Sequence, residues 1–222
     1  MSRREDAKAE RRRRIIAAAR DLIKETGDTG LSMRAIAARA GVSLTTPYNL
    51  FGSKRAIVIV LLEDVREFHE RFSQLHRVGA TDRIFQAVSI SLAYLADDPE
   101  FYRTLWTEAL RFDSKELRGE LQTPQRYGFW WALLNEAKSD GALLAAVEID
   151  PLLRALDAVY VAAMLAWVLG GIEVHELEAH VGYGYAITLR GAATGAAAEK
   201  LEQRLITYQE EQQRHRASAA AA

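Results

Sequence analysis

The sequence contains no cysteine, which excludes disulfides, thiolate metal ligands and cysteine nucleophiles. Proline is scarce, with four in 222 residues, and no stretch alternates polar and apolar residues over the length of a strand. The longest uncharged apolar run, 158–172, is shorter than the ~18 residues expected of a membrane span. The charged N-terminal residues include no apolar segment typical of a secretory signal. We therefore expect an all-α cytoplasmic protein with no membrane partner.

Charge is distributed unevenly along the chain. Residues 1–55 contain 13 Lys and Arg against 6 Asp and Glu, a net charge of +7, whereas the remaining residues carry −8. A basic segment joined to an acidic one is typical of a protein whose N-terminal part meets a polyanion while the rest keeps it soluble. The arginine run 11–14 has two interpretations, a solvated helix end or a basic arm that contacts phosphate.

Three short helices are predicted within residues 1–52, which we call the head. The apolar spacing in residues 7–26 indicates one amphipathic helix. Ser32 can cap a second helix that ends near Ala40, and Gly41 follows at a position that favours glycine. Ser43 can cap a third helix. Two helices joined by a short glycine-containing turn form a helix-turn-helix pattern, whose second helix enters the DNA major groove.

The third helix has two faces, with Pro47 and Phe51 expected to face the core. Outward-facing groups suited to base edges are expected at Thr45, Thr46, Asn49 and Arg34, with Leu44 also facing outwards. Phosphate contacts are expected from Ser32, Ser43, Tyr48, Lys54, Arg11 and Arg12. Because a proline lacks an N–H and disfavours helical geometry in the preceding residue, we expect a loosened first turn or a helix that begins near Pro47. Substitution of Pro47 by leucine is then expected to tighten the helix.

Residues 32–57 resemble the DNA-binding signature of TetR-type transcriptional regulators. The matching positions are Met33-Arg34-Ala35-Ile36-Ala37, Gly41-Val42-Ser43, Tyr48, Phe51, Ser53 and Lys54. Pro47 departs from the usual Leu, Ile or Val, and Leu50 stands where His or Tyr is common. The resemblance implies a prokaryotic regulator, nucleoid-associated when bound to DNA. It further implies a homodimeric repressor that binds a palindromic double-stranded operator and is released by a small amphipathic or apolar effector.

Residues 53–216 are predicted to form a helical ligand-binding and dimerisation domain, followed by a disordered tail at 217–222. Helices are expected at about 53–76, 82–96, 98–111, 124–139, 150–172, 175–193 and 196–214, which gives nine to ten helices with the head. Residues that are candidates to line an effector pocket are Tyr94, Trp106, Tyr127, Trp131, Tyr160, Met164 and Trp167. Ordinary core packing is the alternative for each of them. Small and apolar residues within 150–193 predict the homodimer contact, which the resemblance implies to be a four-helix bundle.

No catalytic site, metal site or cofactor is expected. His175 and His180 are five residues apart, hence about 140° apart around a helix, and cannot share a metal face as the histidines of HExxH do. Gly182 and Gly184 lack the third glycine and the preceding strand of a dinucleotide-binding loop. The main alternative function is a helical ligand-binding or scaffold protein whose head no longer reads DNA sequence, and an enzyme comes third.

Overall fold

The computed structural model describes residues 3–28, 30, 32–62, 65–74, 79–111 and 124–221. These residues form eleven α-helices and one 3-10 helix, and no strand is found among them, which confirms the all-α class. The α-helices are α1 (Arg3–Thr26), α2 (Met33–Arg39), α3 (Thr45–Phe51), α4 (Lys54–Leu62), α5 (Val65–Ser73), α6 (Ala80–Asp97), α7 (Pro99–Ala109), α8 (Pro124–Ser139), α9 (Ile149–Val168), α10 (Leu177–Ala192) and α11 (Gly195–Ala221). The 3-10 helix, Val174–Glu176, immediately precedes α10.

The chain divides into two compact units. The first unit consists of the described residues of Met1–Asp64 and Asp98–Gln122, and the second of those of Val65–Asp97 and Thr123–Ala222. The first unit is therefore larger than the predicted head, because α4 and α7 pack with α1 to α3. The predicted helix 53–76 corresponds to α4 and α5, with residues 63, 64, 75 and 76 outside the described part.

One apolar core holds the first unit together. Its buried residues lie at helical spacing on α1, α2, α4 and α7, which is the pattern of amphipathic helices that share a core. They include Ile15, Ala19, Ile23, Met33, Ile36, Ile57, Leu61, Phe101, Leu105 and Trp106. Ile16 and Leu22, two further apolar residues of the predicted amphipathic helix 7–26, are only half-buried. The stripe on α1 is thus narrower than its apolar spacing suggested.

The second unit is built around α9 and α10. One face of α9 buries Leu156, Tyr160, Met164 and Trp167. By length and composition α9 is the one helix among the described residues that is able to cross a bilayer, a test that the core helix of a soluble protein also passes. It ends at Val168, four residues earlier than predicted, where the N–H of Gly171 donates to the carbonyl of Ala166 at 2.8 Å.

Helix α11 lies along α10 and is longer than the sequence suggested. The Nε2 of Gln212 donates to the Ala179 carbonyl at 3.1 Å, and the Arg204 guanidinium lies 2.5 Å from the carboxylate of Asp82 on α6. A helix end near 214 and a disordered tail at 217–222 were expected, but α11 continues through Ala221. Alanine has the highest helix propensity of all residues, so this alanine-rich end continues the helix at little cost. Residue 222 lies outside the described residues.

Candidate nucleic-acid interface

Helices α2 and α3 form the predicted helix-turn-helix. The Ser32 hydroxyl caps α2 by accepting the Ala35 N–H at 3.0 Å, as expected from the sequence. Gly41 ends α2 with a φ of +61°, a left-handed conformation that glycine adopts at little cost. The Val42 N–H then donates to the Ala37 carbonyl at 3.0 Å, which closes the turn between the two helices.

The start of α3 differs from the prediction. Leu44, rather than Ser43, occupies the N-cap position, and its side chain makes no capping bond. The Ser43 hydroxyl instead lies 3.0 Å and 2.8 Å from the hydroxyls of Thr45 and Thr46. Short hydroxyl side chains compete for such local bonds at helix starts, so the serine at position 43 did not by itself locate the cap.

Pro47 is compatible with this helix. It is the third residue of α3, where the N–H of any residue lacks a partner inside the helix. The carbonyl of Ser43, which an N–H at position 47 would approach, already accepts the Thr46 N–H at 2.9 Å. The helix begins at Thr45, two residues before the proline. The bond from the Thr46 N–H to the Ser43 carbonyl spans three residues, as in a 3-10 helix, so the first turn of α3 is tight. A helix beginning near Pro47 was the wrong expectation for this turn.

The outward face of α3 is polar and exposed. Pro47 is buried, whereas Thr45 and Asn49 are exposed and Tyr48 exposes 51% of its surface. Thr46 is half-buried, and its hydroxyl is engaged by Ser43. Of the predicted base readers on this helix, Thr45 and Asn49 are therefore the accessible ones. Leu44 and, on α2, Arg34 are also exposed.

The arginines of α1 do not behave alike. Arg11 is exposed, and Arg13 pairs with Glu10 on its own helix. The Arg12 guanidinium donates to the Leu50 carbonyl at 3.2 Å and lies 4.3 Å from the centre of the Phe51 ring. A phosphate contact was expected from Arg12, but its side chain is directed at the C-terminal end of α3. Sequence reasoning missed this role, because the partners lie 38 residues away.

Arg14 has a similar role at the end of α2. One nitrogen of its guanidinium donates to the carbonyls of Ala40 and Gly41, the latter at 2.9 Å. Nearby, the Arg39 guanidinium donates two bonds of 2.8 and 2.7 Å to the Glu25 carboxylate, and these bonds hold the pKa of Glu25 below its usual value. Both contacts fasten the end of α2 to α1.

Lys54 forms an ion pair within the first unit. Its Nζ is 3.5 Å from a carboxylate oxygen of Glu108 on α7, so the phosphate contact predicted for Lys54 competes with this acid. Ser53 caps α4 through the Ala56 N–H at 3.1 Å. At the other end of α7, the Lys24 Nζ lies 2.5 Å from the carboxylate of Asp98, which caps that helix. Helix α7 is thus fastened to α1 and to α4 by charge.

The predicted effector residues lie in both units. Trp106 is buried in the first unit, and the other six belong to the second. Tyr160, Met164 and Trp167 are buried on one face of α9, Tyr94 is half-buried, and Tyr127 donates to the carboxylate of Asp150. Trp131 exposes 43% of its surface while its neighbour Trp130 is buried, because adjacent residues of a helix point about 100° apart.

Two described clefts lie elsewhere. A cleft of about 690 Å³ in the first unit is lined by residues of α7 together with Gly27 and Asp28. A cleft of about 430 Å³ lies between α10 and α11. His175 and His215 both line it, and the centres of their rings are 4.9 Å apart. Neither is lined by a predicted effector residue. The described residues contain no group of three or more His, Asp or Glu side chains arranged to hold a metal ion.

The comparisons with known proteins agree with this geometry. Residues 15–61 match the family model of bacterial regulatory proteins, tetR family. The head of this chain is thus similar to that of bacterial regulatory proteins of the tetR family. The match runs from Ile15 within α1 to Leu61 within α4, so it includes the helix-turn-helix and parts of the two helices that flank it. A comparison with curated proteins gives no match.

Solved structures of TetR-type regulators share the fold over most of the chain. TylP, a TetR regulator from Streptomyces fradiae, is 23% identical with a TM-score of 0.63, covering 95% of this chain and 93% of its own. FadR from Thermus thermophilus, a repressor in complex with lauroyl-CoA, is 18% identical with a TM-score of 0.65, covering 83% and 96%. FadR from Bacillus subtilis, in complex with stearoyl-CoA, is 21% identical with a TM-score of 0.59, covering 80% and 97%. At these identities the likeness shows the TetR-type fold.

Proposed function

We propose that this protein is a transcriptional repressor that binds a palindromic operator as a homodimer and is released by a small amphipathic effector. The observation that carries the proposal is the outward face of α3. Thr45, Tyr48 and Asn49 are exposed there, on a helix whose opposite side is buried through Pro47. Thr and Asn side chains suit base edges, and the net charge of +7 in residues 1–55 favours a polyanion.

A homodimer is supported by apolar surface on α9 and α10. Leu165 of α9 and Leu169, the residue that follows this helix, expose 41% and 75% of their surfaces, and Ile187 of α10 exposes 51%. On α9 the exposed residues Ala155, Ala158 and Ala162 continue the same stripe at helical spacing. Large apolar residues that share an exposed stripe mark an interaction surface. A two-fold contact through this surface presents two heads to two operator half-sites.

Release by an effector follows from linkage between two sites. An effector shifts the dimer from its DNA-competent form only by the difference between its affinities for the two forms. Helix α7 suits the transmitting role, because it follows α6 directly in the chain and is ion-paired to α1 and α4 of the first unit. The aromatic content of the second unit and the acyl-CoA complexes of the two FadR proteins support an amphipathic effector.

The test measures binding to two fluorescent duplexes of equal length at several salt concentrations. One duplex contains the region upstream of the protein's own gene, and the other has the same composition in random order. We expect preference for the upstream duplex by at least about 10³-fold, the lower range for specific recognition. Replacement of Asn49 by alanine should remove part of this preference, about 1–3 kcal/mol if the amide contacts one base pair. Equal affinity for both duplexes would support the scaffold alternative and contradict the repressor.

A further inference from the structure

Each helix of the helix-turn-helix ends in carbonyl groups that have no partner within the helix. The last four carbonyls of any α-helix are in this position, and together they give its C-terminus a partial negative charge. In α2 and the turn that follows it, the carbonyls of Ala40 and Gly41 accept from Arg14. In α3 the carbonyl of Leu50 accepts from Arg12. One helix, α1, therefore supplies a cation to the C-terminal end of each of the other two.

The spacing of these arginines explains how one helix reaches both ends. Arg12 and Arg14 are two residues apart, hence about 200° apart around α1, so their side chains leave it in opposite directions. Arg12 also lies over Phe51, with its guanidinium carbon 4.3 Å from the ring centre. A guanidinium keeps its charge at all physiological pH values, and its several donors allow it to bond two carbonyls at once.

Gly41 fits the same arrangement. A Cβ at this position would lie 2.7 Å from a guanidinium nitrogen of Arg14, closer than real side chains approach. The residue also has a left-handed backbone, with φ at +61°. The left-handed backbone favours glycine here, and the absence of a side chain leaves the space in which the end of the Arg14 side chain lies.

We propose that Arg12 and Arg14 are positioning residues, which set the angle of the recognition helix α3 by holding the carbonyl ends of α2 and α3 on α1. One guanidinium nitrogen of each arginine is directed at these carbonyls, so in this proposal they contribute to DNA binding through base readout by α3 and not through phosphate contact. This inference rests on the proposed function, because it assigns the two arginines a role in sequence recognition. Arg11, one residue before Arg12 and exposed, is the matched control of equal charge.

The test combines the two duplexes described above with the variants Arg12→Gln, Arg14→Gln and Arg11→Gln. For the first two we expect about tenfold weaker binding to the upstream duplex, as for loss of a charged hydrogen bond, and little change for the random duplex. The slope of log Kd against log salt should stay at the wild-type value. Arg11→Gln should change both duplexes alike and reduce the slope by about 0.9, the value for one phosphate contact. Arg12→Lys should restore part of the preference, because it keeps the charge beside Phe51.

The proposal would be overturned if Arg12→Gln and Arg14→Gln reduced the slope of log Kd against log salt as much as a lost phosphate contact does. Both residues would then be phosphate ligands. Hydrogen exchange of the α3 amides in the free protein gives a readout that needs no DNA. We expect faster exchange in α3 for Arg12→Gln and unchanged exchange for Arg11→Gln. Unchanged exchange in Arg12→Gln would also overturn the proposal. Should the wild type show no preference between duplexes, the proposed function fails, and the exchange measurement still decides whether the arginines position α3.

Discussion

Gly184 of α10 and Val159 of α9 approach so closely that a Cβ on the glycine would lie 2.4 Å from a Val159 methyl carbon. A valine side chain has one strongly preferred rotamer in a helix and cannot turn away easily. We therefore expect Gly184→Ala to lower the free energy of unfolding by about 1–2 kcal/mol, because overpacking of ~1–3 kcal/mol exceeds the propensity gain of alanine. Urea denaturation followed by circular dichroism measures this difference.

Gly128 in α8 is the matched control for that substitution. It is exposed, and a Cβ there would meet no atom within 4 Å. Alanine at this position should raise the free energy of unfolding by up to about 1 kcal/mol through helix propensity alone. If both glycine variants were stabilised equally, the close packing of α9 against α10 would be contradicted.

Pro47 should stabilise the head and not weaken it. No helical hydrogen bond is lost at its position, and the fixed φ of proline restricts the unfolded chain. Pro47→Ala should therefore lower the free energy of unfolding by about 1 kcal/mol, partly through the unfolded state and partly through lost burial. Thermal and urea unfolding provide the measurement. A more stable Pro47→Ala would show instead that the first turn of α3 is strained by the proline.

If the exposed apolar stripe of α9 forms the proposed dimer contact, a charge placed in it should dissociate the dimer and lower the mass measured in solution. Leu169→Asp places a charge at the C-terminal end of the exposed stripe of α9, where loss of a large apolar contact should cost about 2 kcal/mol of association. Sedimentation equilibrium should show the dimer dissociating at concentrations more than about tenfold higher than for the wild type. Ile206→Asp is the control, because Ile206 is a similarly exposed apolar residue on α11. Equal dissociation of both variants would place the contact elsewhere.

His180 gives the protein a pH dependence of known sign. Burial lowers the pKa of this histidine, Glu176 opposes the shift, and Arg216 and His215 add to it. The unfolded chain therefore takes up a proton more readily than the folded one, so stability present above about pH 6.5 is lost as the pH falls. The urea midpoint should drop between about pH 7.5 and pH 5.5, and less so in His180→Gln. His175→Gln, a control in the 3-10 helix, should keep the full drop.

The helix-turn-helix could be predicted because its signals are local. The cap at Ser32, the glycine at position 41 and the buried side of α3 all depend on residues within a few positions of one another. The cap at Ser43 could not be settled in this way, because neighbouring hydroxyls compete for it. The extent of α11 was underestimated for a related reason, since its polar and alanine-rich end carries no apolar periodicity.

The roles of charged side chains could not be read from spacing. The sequence grouped Arg11 to Arg14 as one basic run, but Arg12 and Arg14 bond to carbonyls 26 to 38 residues away. Likewise His175 and His180 could be compared only with each other, whereas the ring next to His175 is that of His215, 40 residues further on. Such pairings depend on how helices pack, and a one-dimensional pattern contains no distance between them.

The sequence by itself determined the helical class, the helix-turn-helix and the polar outward face of α3, because helix periodicity and capping act within a few residues. Tertiary structure alone decided which arginines of α1 bond to the C-terminal carbonyls of α2 and α3. It also decided that α4 and α7 complete the core of the first unit. The physical reason is the same in both cases, since a side chain's partner depends on distances in space that the packing of helices creates.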